Sequence, residues 1–155
     1  MINGVQVITL QRKSNQMKKQ IFLGFFLLLL LSGSAFAQKA PYNVVIDVTT
    51  KDTVVHQMVM RWVREISKEH PEANIEVVFY AKSLDMVTKD KSVVASDVIK
   101  YAAAKNVKFR VCEVAMKNNQ VEKDMLLDGV GTVPDGIYEI VSKQHEGWGY
   151  IKASR

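Results

Sequence analysis

Cysteine is nearly absent from this 155-residue chain: Cys112 is the only one, so no internal disulfide can form. Residues 1–37 contain no acid. Beyond them there is no internal repeat, no low-complexity tract and no Pro/Gly/Ser linker, which excludes repeat arrays and a multi-domain string. None of the three histidines has a Cys or Asp at metal-ligand spacing. Gly129-Val130-Gly131 lacks the third glycine and does not open a helix, which excludes a dinucleotide loop. No serine, histidine and acid stand together as in a hydrolase. No cofactor is implied.

What the N-terminus does contain is an export pattern. Met17-Lys18-Lys19-Gln20 is a short cationic start, residues 21–31 are uncharged and rich in Leu and Phe, and Ala35-Phe36-Ala37 is a small-residue exit. Together they predict a signal peptide over residues 17–37, cleaved after Ala37, and a periplasmic or secreted protein. The alternative is an uncleaved anchor, since residues 21–37 just reach the ~17 residues a spanning helix needs. No cysteine follows the apolar run, which excludes a bacterial lipoprotein. Residues 1–16 read as an over-long start, with Met17 the initiator.

Removing the leader also removes the charge excess. Arg12, Lys13, Lys18 and Lys19 are four of the 21 basic residues, and the remaining 17 nearly balance 16 acids, a formal net of +1. Nothing in that balance favours nucleic acid, or a membrane surface once the leader is gone. The 118 residues of 38–155 suit one domain able to bury a core without disulfides.

Along that domain, strands and helices alternate. Residues 42–48 and 75–80 are short, mostly apolar runs typical of strands buried on both faces, and 107–111 reads as a third strand, shorter and more alternating. Val54, Val55, Met58, Val59, Trp62, Val63 and Ile66 recur at helical spacing after a cap at Asp52 or Thr53, up to Pro71. Residues 94–105 predict a second helix with Asn106 as its C-terminal cap, and 113–116 and 121–127 two short ones. Residues 130–133 read as a brief strand. Pro134 fits the first turn of a helix running to about Glu146, and residues 148–151 close the chain as a strand. The expectation is a layered α/β domain, helices flanking a mainly parallel sheet.

In such sheets ligands sit beyond the carboxyl ends of the strands. Asp47 and Thr49 follow the first strand, Tyr80 and Lys82 the second, and Cys112 and Glu113 the third. Cys112 reads as a buried small hydrophobe, a link to another chain, or a reactive thiol. If the strand extends to Cys112, alternation puts Lys108 and Arg110 on its side, whereas Glu113 opposes thiolate formation. Asp47 reads as a cap for the following loop or as an acid–base group. His56 and Met60, at helical i, i+4 spacing, invite a copper reading, against which core packing with a solvated histidine is the simpler account. Trp148 and Tyr150 read as core or subunit interface.

Ala104-Lys105-Asn106-Val107-Lys108-Phe109-Arg110-Val111-Cys112 resembles the helix–strand–cysteine segment of the DsrE/DsrF-like sulfur-relay superfamily. Leu126-Leu127-Asp128-Gly129-Val130, Val133-Pro134-Asp135-Gly136-Ile137 and Gln144-His145-Glu146-Gly147-Trp148-Gly149-Tyr150-Ile151 agree in order and spacing. The resemblance implies a single three-layer domain with a five-stranded sheet, and homo-oligomers, commonly trimers or hexamers. It further implies a cysteine that carries sulfur as a persulfide to a thiol partner protein, a role only Cys112 can fill. Those relays are cytoplasmic, whereas this chain carries an export pattern.

Overall fold

β1, Asn43–Val48, is apolar at every position except Asn43 and Asp47, and from Val44 onward it is buried. A computed structural model describes residues 41–155, so the leader, its cleavage point and the start at Met17 lie outside the described residues. β2 (Asn74–Phe79), β3 (Val107–Cys112), β4 (Gly131–Val133) and β5 (Gly149–Ala153) complete one sheet in the order β4-β3-β2-β1-β5. Every neighbouring pair is parallel. Successive strands step outward from β1 as far as β4, then β5 returns to the opposite side of β1. Strand order therefore reverses between β1 and β5.

Because side chains alternate along a strand, the sheet has two unlike faces. Val44, Ile46, Val48, Ile75, Val77, Phe79 and Phe109 build the main core, with the Phe79 and Phe109 rings stacked at 6.2 Å. It is covered by α1 (Thr53–Glu69), through Val55, Val59, Met60 and Val63, and by Val98 of α2 (Ala95–Ala102). The other face carries Val45 and Val78 under Ile140 of α4 (Gly136–His145). It also carries Asp47 and Glu76, both almost wholly buried. The three layers match the expected architecture, with the sheet fully parallel among the described strands. α3, Glu113–Asn119, leaves the end of β3 directly.

Several boundaries differ from the sequence expectation. The helix expected over 94–105 ends at Ala102, and the Asn106 side chain donates to the Pro71 carbonyl instead of capping it. The helix expected over 121–127 is only a 3-10 turn, Lys123–Met125. Gln120 ends α3 in the left-handed region, and Lys89 and Leu127 then donate across to the Met125 and Val87 carbonyls, which draws this stretch out against residues 87–89. Pro134 lies outside α4, whose N-cap is Asp135, accepting from Ile137 and Tyr138. Trp148 precedes β5, its ring beneath Lys143 Nζ at 5.0 Å.

Candidate functional site

β3 runs one residue further than its apolar pattern and delivers Cys112 to the carboxyl edge of the sheet, where the same residue caps α3. Cys112 is a free thiol, 5% exposed. It borders a cleft of about 390 Å³ whose walls include Tyr80, Ala81 and Lys82 after β2, Ala115, Asn118 and Asn119 of α3, and Asp135 and Ile137 at the start of α4. Of the residues bordering it, Lys82 is the one cation. The fourth wall depends on a glycine: a Cβ on Gly136 would stand 3.0 Å from Cys112 Cβ and 3.3 Å from Val78 Cγ1. The helix approaches the thiol because that carbon is missing.

The turn leaving β2 is held firmly. Ala81 has φ +56°, the left-handed region that a residue with a Cβ rarely adopts. Asn119 Nδ2 donates to its carbonyl at 2.9 Å, and Lys82 N–H donates to Thr49 O at 3.1 Å. Ser83 Oγ, fully buried, reaches Val48 O at 2.7 Å. These bonds hold Tyr80 and Lys82 at the rim.

Cys112, Tyr80 and Lys82 are thus brought together, while the other expected residues go elsewhere. Glu113 turns to the far side of α3, accepting from Thr132 Oγ1 at 2.7 Å and Lys123 Nζ at 3.0 Å. Those two partners, Thr132 foremost, hold its carboxyl below the usual carboxylate range. Arg110 shares the face of Cys112, as alternation required, but its guanidinium lies against Gly131 on β4, and neither it nor Lys108 borders the cleft.

Asp47 is not a loop cap. Its side chain lies within the sheet, 2% exposed, and Oδ2 accepts from Tyr80 Oη at 3.2 Å, Tyr150 Oη at 2.8 Å and Lys152 Nζ at 3.0 Å. Oδ1 is buried without a partner. Thr49 joins at the edge, accepting from Lys152 at 3.1 Å. Burial first, then the Asp47 charge and hydrogen bond, push the Tyr80 phenol up to about 12. Burial, then the bond to Asp47, does the same for Tyr150. Both phenols keep their protons and act as donors.

Tyr150 and Lys152 were missed as site residues by the sequence reading. Their period-2 spacing put them on one face, but only the pairing of β5 with β1 sets Lys152 opposite Asp47.

A second buried acid lies on the same face. Glu76, 2% exposed, is raised to about 7, by burial first and then by Glu139, with Lys143 and Arg110 opposing. Its Oε1 has no hydrogen-bond partner. His56 is buried, not solvated, and its Nε2 lies 2.8 Å from the Thr50 carbonyl. Met60 is buried in the core beside it. Among the described residues no three of His, Cys, Asp and Glu are grouped to hold a metal, and no helix is long and apolar enough to cross a membrane.

Residues 29–153 match the model of the DsrE/DsrF-like family. No curated protein sequence matches. Among solved structures, the chain is similar to the protein of unknown function MTH1491 from Methanobacterium thermoautotrophicum, at 30% identity and TM-score 0.67, over 72% of this chain and 98% of that one. The conserved protein of unknown function BT1422 from Bacteroides thetaiotaomicron is similar at 15% identity and TM-score 0.60, over 72% and 94%. The ychN protein of E. coli follows at 9% identity and TM-score 0.60, over 72% and 98%. At those last two identities the likeness is one of fold.

Proposed function

The chain belongs to the DsrE/DsrF-like family, and on that premise we propose that it is a thiol-based sulfur carrier working outside the cytoplasm through Cys112. One observation carries the reading: the chain's single thiol borders a 390 Å³ cleft at the carboxyl edge of the sheet, with Lys82 on the rim. The family's link to sulfur relay supports it, and the pattern of residues 17–37 supports export.

The chemistry is a balanced exchange. The Cys112 thiolate attacks the outer sulfur of a donor persulfide, a new S–S bond forms, and the donor leaves as its thiolate. An acceptor thiolate then repeats the step on the outer sulfur of the Cys112 persulfide. Two thiol sites trade one sulfane sulfur, with no net oxidation. The thiolate is the attacking form in this exchange, and Lys82 is a cation on the rim of the same cleft.

Homo-oligomerisation, as trimer or hexamer, belongs to the same proposal. Tyr138 at 72% and Ile137 at 60% exposure on α4 are apolar side chains that a subunit contact would cover.

A second reading rests on the burial of Cys112: at 5% exposure it suits packing, and the cleft would then serve an oligomeric binding module. Sulfur handover separates the two. Protein loaded by a low-molecular-weight persulfide and passed to an acceptor thiol protein should transfer one sulfur, and a Cys112→Ser variant none. Transfer by the serine variant, or no loading of the native protein, contradicts the carrier.

A further inference from the structure

Tyr80 is the one side chain that belongs both to the thiol cleft and to the Asp47 cluster. Tyr80 and Cys112 both border the cleft, while the Tyr80 hydroxyl donates to Asp47 Oδ2 at 3.2 Å. A Cβ on Gly136 would lie 3.6 Å from Tyr80 Cβ and 3.0 Å from Cys112 Cβ, so the three residues meet at one point of the wall.

We infer that Tyr80 is a positioning residue for Cys112, held at the wall of the thiol cleft through its hydroxyl bond to the buried Asp47 side chain. The inference rests on the carrier reading for its biological meaning, though not for its geometry.

Asp47 gathers three donors on a single oxygen, from Tyr80, Tyr150 and Lys152, and leaves the other buried and unpartnered. A buried carboxylate with an unsatisfied oxygen calls for an explanation. A staple docking edge strand β5 onto β1 accounts for Tyr150 and Lys152, which both come from β5. It does not account for Tyr80. β2 is already paired along β1, and Tyr80 N–H already donates to Val48 O at 3.2 Å. The hydroxyl bond comes from the turn after a strand that is already docked, and it fixes the Tyr80 side chain.

Two further constraints act on the same residue. Lys152 Nζ lies 5.6 Å from the Tyr80 ring centroid, so the ammonium that neutralises Asp47 also presses on the ring. At the backbone, the next residue, Ala81, is kept left-handed by the Asn119 amide from α3, the helix that Cys112 caps. Ring and turn are thus fixed from both sides of the cleft.

The test is a double-mutant cycle on the purified protein, reading the rate of Cys112 alkylation by iodoacetamide between about pH 6 and 9. Tyr80→Phe and Asp47→Asn should each change the rate by about threefold or more in the same direction, and the double variant should go no further than either alone. Asp52→Ala, which removes the α1 cap at a residue that does not line the cleft, should lower the melting temperature and leave alkylation unchanged. A wild-type rate in Tyr80→Phe, or multiplicative effects in the double variant, would overturn the positioning role. So would a thiol equally inert in wild type and both variants. Coupled rates in a protein that never takes up sulfur would sink the carrier reading and leave the positioning role standing.

Discussion

Gly136 leaves room for Cys112: the hydrogen where its side chain would be faces the cysteine Cβ, which a methyl group there would approach to 3.0 Å. Contacts that close force a shift of a few tenths of an ångström, and both Cys112 and Val78 are packed. Gly136→Ala should therefore displace the start of α4 or the thiol and slow Cys112 alkylation several-fold. It should leave the helical content unchanged, because alanine is the better helix former. Parallel alkylation and circular dichroism measurements check this.

Among the described residues, Lys82 is the one cation bordering the cleft. Its charge should favour anionic reagents over neutral ones. Lys82→Gln should slow alkylation by iodoacetate more than by iodoacetamide, by a factor of about 2 to 5, and the gap should shrink as salt screens the wild type. Equal slowing of both reagents would mean that Lys82 acts by shape.

Glu76 sets a pH dependence of stability. Its carboxyl is raised from 4.5 to about 7, chiefly by burial, so the folded protein holds a proton that the unfolded chain has already released. Stability from this group is complete below about pH 4.5 and falls as pH rises toward 7. The Lys143 and Arg110 charges oppose the rise, and the net effect is of the order of a few kcal/mol. Glu76→Gln should flatten the melting temperature across that window, relative to wild type.

The main core should be the costliest place to cut. Ile46 is fully buried in β1, an inner strand of the sheet flanked by β2 and β5. Ile46→Ala should destabilise the fold by about 2–5 kcal/mol, read by denaturant unfolding, through lost burial and the cavity left behind.

The sheet and its helices were legible in the sequence because β1 and β2 are mostly apolar, β3 alternates apolar with charged residues, and α1 has a clear stripe. Boundaries were legible only where a local signal decides them, as Asp52 does for α1. The stretch from 121 to 127 has helical composition, yet its backbone bonds go to residues 87–89, a distant partner that no local pattern reveals. The site divides in the same way. Tyr80, Lys82 and Cys112 follow from the rule that strands deliver ligand-facing residues at their carboxyl ends. Asp47 was legible as a residue but not as a network, since two of its three partners, Tyr150 and Lys152, come from β5, about a hundred positions away in the chain. Gly136 carries no sequence signal until the helix is seen against the thiol.

Whether the folded protein presents Cys112 as a working thiol is the question on which the carrier reading turns. The direct measurement is intact mass of the native protein before and after a low-molecular-weight persulfide, with alkylation followed against pH in the folded and unfolded states. The carrier account predicts a gain of roughly 32 Da, one sulfur atom, on the native protein and none on Cys112→Ser, with the thiol alkylated in the folded state. A thiol that gains no sulfur and reacts only after unfolding would contradict it and make Cys112 a packing residue of the cleft wall.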